Sequence, residues 1–355
     1  MTYEHLPHYF SGKRVFLTGH TGFKGTWLLL WLKELGATVK GYALAPETPD
    51  NLYIRVGGDQ LCDSVIADIR DHERIVGEMR AFRPDYVFHL AAQPLVRLSY
   101  DLPAATFAIN AVGTAHVLDG VRALDHSCTV VCVTTDKVYD NREWHYPYRE
   151  SDRLGGYDPY SASKACAELI IDSYRNSFFH PDRYEAHGIG LASARAGNVI
   201  GGGDWARDRI VPDIVRALQA NQPILIRNPA AVRPWQHVLE PIGAYLHLAT
   251  RLVDDANQYG GSWNFGPQSG DTLTVKELVN LALSCWGSGT YTTPQLANQP
   301  HEAGLLALDI HKAKRVLGWQ PKLDAATAVA RTIDWYRNEG TLAYTQAQIR
   351  EYAAE

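Results

Sequence analysis

Short apolar runs alternate with helix-like patterns throughout the first half of the chain, and this alternation restricts the possible folds more than any other feature. Strands are predicted at residues 14–18, 38–44, 63–66, 86–90, 129–135 and 188–195, and helices at 22–35, 71–82, 104–124 and 157–177. Parallel strands need long crossover connections, which helices usually provide. We therefore expect an α/β fold with a Rossmann-like doubly wound parallel sheet that carries helices on both faces.

The chain is long enough for two packed parts, because 355 residues exceed the usual size of one hydrophobic core. The pattern changes after Asn198, where three consecutive glycines and proline-rich stretches indicate loops. Further helices are predicted at residues 275–286, 311–317 and 325–337. We expect a Rossmann-like domain over residues 1–195 and a smaller, interleaved C-terminal domain over residues 196–355, with a cleft between them.

The composition excludes several classes of function. A net charge of −5 argues against a dedicated nucleic-acid surface, and no apolar stretch is long enough to span a bilayer or to form a secretion signal. The five cysteines form no CxxC pair, which fits a reducing cytoplasm. Apart from His5 and His8, the fourteen histidines form no closely spaced array, so no metal site is predicted. We expect a cytoplasmic protein that binds neither membranes nor nucleic acid.

A glycine-rich loop follows the first predicted strand and opens the first predicted helix. Its sequence from residue 19, GHTGFKG, has the spacing GxxGxxG. A pyrophosphate needs backbone N–H donors, close approach without a Cβ and the positive end of a helix dipole, and this strand–loop–helix unit supplies all three. The loop therefore predicts dinucleotide binding by Gly19, Thr21, Gly22, Phe23, Lys24 and Gly25.

The ends of the following strands predict further cofactor contacts, but they leave the choice between NAD and NADP open. No acidic residue lies between residues 39 and 46, after the second strand, where one would hold the ribose 2′-hydroxyl of NAD. Asp68 and Ile69 follow the third strand, where they fit either a contact to the adenine edge or the N-terminal cap of a helix. The other candidates at strand ends are Leu90, Ala91, Ala92 and Thr134.

Two short segments carry the predicted chemistry. Tyr160 and Lys164 are four positions apart, which places them on one face of a helix. A lysine ammonium beside a phenol favours the phenolate, so Tyr160 is a candidate base. Thr135, Asp136 and Lys137 follow an apolar, β-branched strand, where α/β folds carry their chemistry. This combination predicts proton and hydride transfer with an additional acid and base.

The sequence resembles the extended short-chain dehydrogenase/reductase superfamily of sugar-nucleotide-modifying enzymes in the segments TGHTGFKG, HLAAQ, TTDKVYD and YSASK. Six longer segments are similar to its CDP-glucose 4,6-dehydratase family: TGHTGFKGTWL, QPLVRLSY, DKVYDNREW, GGYDPYSASK, RAGNVIGGGDWARDR and RPWQHVLEP. The similarity extends from about residue 12 to residue 335. It implies an NAD-dependent lyase that converts CDP-glucose to a 4-keto-6-deoxy sugar nucleotide. The first domain would then bind NAD and the second the sugar nucleotide.

The resemblance implies a role for each catalytic candidate. Tyr160 takes the proton of the sugar 4-hydroxyl, Lys164 holds the nicotinamide ribose, and Thr135 bonds to the 4-oxygen. Asp136 is the acid for the departing 6-hydroxyl. The related dTDP-glucose dehydratases carry a glutamate at the position of Lys137, and a lysine acting as a base must first lose its proton. Two interpretations stay open, because Lys137 is either the base at C5 or an electrostatic stabiliser of the enolate.

For the substrate, the resemblance places Asn198, Arg209 and Arg233 at the pyrophosphate, where forked and permanently charged guanidinium donors are suitable. His301 falls where relatives contact the nucleoside, whereas Ala303 replaces an arginine of the dTDP enzymes. The resemblance further implies a homodimer or homotetramer that packs through residues 104–124 and 157–177. Its product would enter deoxysugar synthesis for the O-antigen of bacterial lipopolysaccharide.

Other functions remain open at this point. A sugar-nucleotide 4-epimerase needs Tyr160, Lys164 and the cofactor, but not the pair Asp136 and Lys137. A 4,6-dehydratase for another nucleotide sugar fits the same residues. A non-catalytic dinucleotide-sensing protein would be expected to lack the tyrosine–lysine pair or the acid. Loss of one water from a sugar nucleotide distinguishes a dehydratase from the epimerase and from the sensor.

Overall fold

The computed structural model describes residues 2–294 and 305–355, and its main feature is a seven-stranded parallel sheet. The strands are β1 (Arg14–Thr18), β2 (Thr38–Ala43), β3 (Asp63–Ile66), β4 (Tyr86–His89), β5 (Cys128–Thr134), β6 (Ile189–Ala196) and, after four shorter strands, β11 (Gly261–Phe265). Their order is β3-β2-β1-β4-β5-β6-β11, and all six pairings are parallel. The order reverses between β1 and β4, and ligands of doubly wound sheets bind at such a point, beyond the carboxyl ends of the strands.

Helices connect and cover these strands. In the described part of the chain they are α1 (Leu6–Phe10), α2 (Phe23–Glu34), α3 (Leu52–Arg55), α4 (His72–Phe82), α5 (Val96–Asp101), α6 (Pro103–Phe107), α7 (Gly113–Arg122), α8 (Pro159–Ser177), α9 (Tyr184–His187), α10 (Ile210–Gln219), α11 (Leu239–Asp254), α12 (Ala256–Tyr259), α13 (Val275–Trp286), α14 (Ala325–Arg337) and α15 (Leu342–Ala354). A π-helical turn, Ala108–Val112, joins α6 to α7. None of these helices is long and apolar enough to cross a membrane.

The two faces of the sheet bury different helices, because successive strand residues point to opposite sides. Val15 and Leu17 of β1 join the apolar cluster that contains α2 and α11, whereas Phe16 joins the cluster of α4 and α7. The apolar helix α2 has no polar face because it packs on the sheet and also touches α11 and α15. Helices on both faces of a parallel sheet confirm the predicted fold class.

Residues beyond 195 also contribute to the sheet. The helix α11 packs against β5 and β6, and β11 adds to the sheet beside β6. Six two-residue strands form pairs outside it: β7 (Val199–Ile200) with β10 (Gln236–His237), β8 (Ile224–Leu225) with β13 (Tyr291–Thr292), and β9 (Val232–Arg233) with β12 (Leu273–Thr274). The sheet is therefore not built from residues 1–195 alone, and the division into two domains stays a prediction.

Candidate active site

The loop after β1 forms a cradle of backbone atoms. Gly19 has a left-handed backbone (φ 76°), and a Cβ on it would lie 2.8 Å from the backbone nitrogen of Ala91. A Cβ on Gly25 would overlap the carbonyl oxygen of Gly19. Gly22 is exposed and caps the N-terminus of α2, where free N–H groups and the helix dipole favour an anion. The cradle fits the pyrophosphate of a dinucleotide, as predicted from its glycine spacing.

The end of β4 borders this cradle, because β4 lies next to β1 at the point where the strand order reverses. The hydroxyl of Thr18 accepts hydrogen bonds from the backbone N–H groups of Leu90 and Ala91, each at 3.1 Å. The same hydroxyl lies 2.8 Å from Nδ1 of His89, whose Nε2 lies 3.0 Å from Oγ1 of Thr114. Burial lowers the pKa of His89 to about 3, so its ring is neutral. The segment from Leu90 to Ala92 thus lies directly beside the glycine loop.

Asp68 and Ile69 lie at the end of the neighbouring strand β3. The carboxylate of Asp68 pairs with the guanidinium of Arg70 at 2.6 Å, and this bond lowers the pKa of Asp68. The cap of α4 is Asp71, so Asp68 is not the helix cap that one interpretation allowed. Ile69 is buried near Gly113, at the start of α7. The adenine contact of Asp68 stays a prediction.

The helix α8 carries the tyrosine–lysine pair in its first two turns. Asp158 caps the helix by accepting a hydrogen bond from the N–H of Ser161 at 2.9 Å, and Pro159 occupies the first helical position. Tyr160 and Lys164 follow one turn apart, and both are buried. The local sequence thus fixes where the helix starts, and the four-residue spacing fixes the common face.

The sequence predicts that the ammonium of Lys164 favours the phenolate of Tyr160, but the surroundings of both groups in the structure favour the neutral phenol. Burial raises the pKa of Tyr160 to about 12, the charge of Asp136 adds to the rise, and a hydrogen bond with Thr135 opposes it. Burial lowers the pKa of Lys164 to about 8, and its ammonium donates to the carbonyl oxygen of Val133 at 3.0 Å. Tyr160 is therefore a neutral phenol in this structure, and the phenolate needs further positive charge beside it.

Asp136 is buried at the end of β5. The hydroxyl of Thr135 donates to one carboxylate oxygen at 2.9 Å, and the side-chain amide of Asn198 donates to the other at 3.4 Å. Asn198 has a left-handed backbone (φ 49°), and the preceding Gly197 leaves the room that the carboxylate occupies. Donors on both oxygens hold the carboxyl group in one orientation at the end of the strand.

Lys137 continues the same short turn. It belongs to a 3₁₀ helix, Asp136–Val138, and its backbone N–H donates to the hydroxyl of Thr135 at 3.4 Å. Its side chain is half-buried. The structure therefore places an amine directly after the enclosed acid, at the end of the same strand.

The predicted substrate-binding residues lie on different elements of the C-terminal half. Asn198 contacts the acid, as described, and the guanidinium of Arg209 donates to Asp204 at 2.9 Å. Arg209 is also close enough to Tyr160 for their charges to interact. Arg233 lies in β9 and is half-buried, with one nitrogen donating to the carbonyl oxygen of Val232. His301 lies outside the described residues.

A buried ion pair beneath the site was not predicted from the sequence. Glu168 of α8 pairs with Arg195 of β6 at 2.7 Å, with side chains only 3% and 4% exposed. Glu168 also accepts hydrogen bonds from the hydroxyls of Thr134 and Ser193, and Arg195 donates to the hydroxyl of Tyr139. The sequence signal was Arg195 itself, a lone charge in the strand IGLASARA. This network ties the helix of the tyrosine–lysine pair to the two strands beside it, and it occupies the Thr134 hydroxyl.

Comparisons with known proteins agree with this geometry. A profile of the GDP-mannose 4,6 dehydratase family matches residues 16–332. Over 348 residues the chain is 49% identical to a CDP-glucose 4,6-dehydratase from Salmonella typhimurium, and the match covers 97% of each chain. It is 32% identical over 333 residues to a dTDP-glucose 4,6-dehydratase from Streptomyces antibioticus, covering 91% of this chain and 92% of that protein. Among solved structures, DesIV from Streptomyces venezuelae, a dTDP-glucose 4,6-dehydratase with NAD and TYD bound, superposes with a TM-score of 0.77 at 25% identity, covering 92% of this chain and 97% of that one.

Proposed function

Because the chain belongs to the GDP-mannose 4,6 dehydratase family of extended short-chain dehydrogenases/reductases, we propose that it is an NAD-dependent CDP-glucose 4,6-dehydratase. It converts CDP-D-glucose to CDP-4-keto-6-deoxy-D-glucose and water. One observation carries the proposal: the glycine cradle after β1 lies against Ala91 after β4, while Lys164 donates to Val133 of β5 and the acid Asp136 follows that same strand. The 49% identity to a CDP-glucose dehydratase supports the choice of nucleotide.

The residues of the cradle would hold NAD. Backbone N–H groups around Gly22 bind its pyrophosphate, and the ammonium of Lys164 binds the nicotinamide ribose. When bound, NAD supplies the acceptor for hydride from C4 and the donor of hydride to C6. Its positive ring charge would also oppose the rise in the pKa of Tyr160 that burial causes.

The first chemical step oxidises the sugar. Tyr160 takes the proton of the 4-hydroxyl as C4 loses hydride, and Thr135 donates a hydrogen bond to the 4-oxygen. The O–H bond and the C4–H bond break, and the C4–O bond becomes a carbonyl. The resulting ketone acidifies the hydrogen on the adjacent carbon, C5.

The second step eliminates water. Lys137 removes the proton from C5, and Asp136 protonates the 6-oxygen, which leaves as water while a double bond forms between C5 and C6. Hydride then adds to C6, and C5 regains a proton. The net change moves one hydrogen from C4 to C6 and releases one water, so no NADH accumulates.

The nucleotide half of the substrate would lie along the C-terminal part of the chain. Arg209 and Arg233 bind the pyrophosphate, with His301 at the nucleoside. Asn198 lies between this half and the acid, since its amide already contacts Asp136. Arg209 keeps its bond to Asp204 and offers its remaining N–H groups to the phosphates.

We further propose that the enzyme is cytoplasmic and forms a homodimer or homotetramer. Its product would enter deoxysugar synthesis for lipopolysaccharide O-antigen. The five cysteines form no CxxC pair and are all free in the structure, which fits a reducing cytoplasm. Val112, between α6 and α7, and Leu169 of α8 are 49% and 60% exposed. Large apolar side chains exposed on neighbouring helices indicate a surface that a second subunit covers.

The test of the activity is mass spectrometry of CDP-glucose incubated with the purified protein and catalytic NAD. We expect the loss of one water without accumulation of NADH. An unchanged mass would contradict the proposal for CDP-glucose and direct the assay to dTDP-, UDP- and GDP-sugars. An isomer of equal mass that separates by chromatography would identify a 4-epimerase instead.

Two variants of Lys137 separate a base from an electrostatic stabiliser. We expect Lys137→Ala to stop the incorporation of solvent deuterium at C5, because the base is lost. Lys137→Arg places a permanent positive charge at this position but cannot accept a proton at neutral pH. If Lys137 is the base, the arginine variant fails as well; an arginine variant that retains the exchange assigns Lys137 to stabilisation of the enolate.

A further inference from the structure

A small cavity lies beside the side chain of Asp136. Asp136 and Gln236 supply its polar lining side chains, and they are only 3% and 1% exposed. Much of the remaining wall is apolar and includes Phe265, Pro267 and Leu308. The space open to the centre of a water molecule is about 10 Å³, which is about what one buried water requires and leaves no room for a larger ligand. The cavity therefore has the size and the polar side chains for a single bound water.

Gln236, on the short strand β10, is bonded to the segment that holds the acid. Its backbone N–H donates to the carbonyl oxygen of Asn198 at 3.2 Å, and its side-chain Nε2 donates to those of Gly197 at 2.9 Å and Phe265 at 3.3 Å. Asn198 in turn donates to the carboxylate of Asp136, and Gly197 leaves the room that this carboxylate occupies. These bonds fix Gln236 to the same backbone segment that positions Asp136.

The same bonds determine which atom of the Gln236 amide is left for a ligand. A carbonyl oxygen only accepts hydrogen bonds, so the end of the amide that faces two carbonyl oxygens is the NH₂ group. The other end, Oε1, is buried, and no donor from residues 2–294 and 305–355 bonds to it. A buried amide oxygen without a donor is costly, and a bound water removes this cost. Because Oε1 and the carboxylate of Asp136 both accept, a water with its two O–H donors is the ligand that suits them.

We propose that one ordered water binds in this cavity and donates one hydrogen bond to Oε1 of Gln236 and the other to the carboxylate of Asp136. Gln236 is then a positioning residue for the acid, an inference that rests on the proposed dehydratase activity. When Asp136 gives its proton to the 6-oxygen and the C6–O bond breaks, the carboxyl group becomes a carboxylate. The water then donates to a charged acceptor, and such a bond is stronger than a bond to a neutral one. The bridge favours the elimination and does not act on the oxidation at C4.

Crystallography of the unmodified protein without substrate tests for the water itself. We expect a water peak within hydrogen-bond distance of both Oε1 of Gln236 and a carboxylate oxygen of Asp136. We expect this peak to be missing in Gln236→Met, whose side chain has a similar length but no amide oxygen. A crystal structure without that water, or a water that stays in place in Gln236→Met, would overturn the proposal. The experiment needs no sugar, so its failure is distinguishable from failure of the dehydratase assay.

The timing of cofactor reduction tests the effect on the reaction. Single turnovers of CDP-glucose are followed by the absorbance of NADH. We expect Gln236→Met to form NADH at the rate of the unmodified protein and to reoxidise it about tenfold more slowly, because only the elimination uses the bridge.

Gln348→Met is the matched control and should behave as the unmodified protein does. Gln348 on α15 is also buried, its Nε2 donates to the carbonyl oxygen of Arg331, and its Oε1 has no donor within the described residues. If Gln236→Met slows formation and reoxidation of NADH equally, Gln236 only supports the backbone of the site. If it changes neither rate, the acid does not need the water. Either result contradicts the proposed bridge.

Discussion

At the scale of single residues, Gly197 sets the position of the catalytic acid. The carboxylate of Asp136 occupies the place where any other residue at 197 would carry its Cβ. The hydroxyl of Thr135 and the amide of Asn198 then hold the two oxygens from opposite sides. The glycine is needed here for space and not for an unusual backbone angle, since its neighbour Asn198 carries the left-handed conformation.

Replacing Gly197 with alanine should therefore displace the acid without unfolding the protein. We expect Gly197→Ala to lower kcat about a hundredfold, since a misplacement of about 1 Å is enough for such a loss. The measurement is steady-state release of the dehydrated sugar nucleotide. Gly190→Ala in β6 is the control, because a Cβ there would lie 3.4 Å from its nearest neighbours, an ordinary contact. A Gly197→Ala enzyme with full activity would show that Asp136 does not need this position.

At the scale of secondary-structure elements, one buried ion pair fastens α8 to the sheet. Glu168 lies one turn beyond Lys164, so its bond to Arg195 also fixes the rotation of the helix that presents Tyr160. Removing one partner leaves the other as an unpaired buried charge, which costs about 3–5 kcal/mol. The pair thus matters more for the precision of the site than for the net stability of the fold.

Arg195→Met should accordingly reduce the free energy of unfolding by about 3 kcal/mol, whereas the double variant Glu168→Leu, Arg195→Met should lose less. Urea denaturation at fixed protein concentration measures both. The exposed pair of Arg350 and Glu34 is the control, for which Arg350→Met should cost less than about 1 kcal/mol. A double variant that is less stable than Arg195→Met would contradict the account of an unpaired buried charge.

The same elements show which features a sequence can predict. The cradle, the pair Tyr160 and Lys164, and Asp136 were identified because each is encoded within a few consecutive residues. The helix α11, which is buried on nearly all sides, was missed, and so was β11, a short strand far along the chain. The ion pair of Glu168 and Arg195 joins residues 27 positions apart on different elements. Contacts of that kind depend on the topology, which local patterns do not specify.

At the scale of the whole molecule, two exposed apolar residues bear on assembly: Val112, between α6 and α7, and Leu169 of α8. Leu169 of α8 is 60% exposed, and we expect Leu169→Lys to place a desolvated charge in the subunit interface and to yield monomers of 39.5 kDa. Analytical ultracentrifugation measures the mass. Val253→Lys, at the end of α11, is the control, because Val253 is also exposed (43%) and α11 packs on the other face of the sheet. If Leu169→Lys keeps the assembly of the unmodified protein, the interface lies elsewhere.

The stability of the whole molecule should also depend on four buried histidines. Burial lowers the pKa of His20 and His247 to about 4, and that of His89 and His237 to about 3. Histidine in the unfolded chain titrates near 6.5, so below that pH the unfolded state binds more protons than the folded state. The stabilising effect is therefore complete above pH 6.5 and is lost as the pH falls toward 4. Together the four histidines predict a loss of up to about 4 kcal/mol between pH 6.5 and pH 5.5.

A variant of one histidine tests this account through the slope of stability against pH. The free energy of unfolding of His89→Gln is measured in urea from pH 7 to pH 5. We expect its slope against pH to correspond to the uptake of about one proton fewer on unfolding than in the unmodified protein. The absolute stability of the variant will also fall, because His89 links Thr18 to Thr114, but the slope does not depend on that loss. His145→Gln is the control, since His145 is exposed. An equal slope in His89→Gln would mean that His89 takes up its proton in the folded protein as readily as in the unfolded chain.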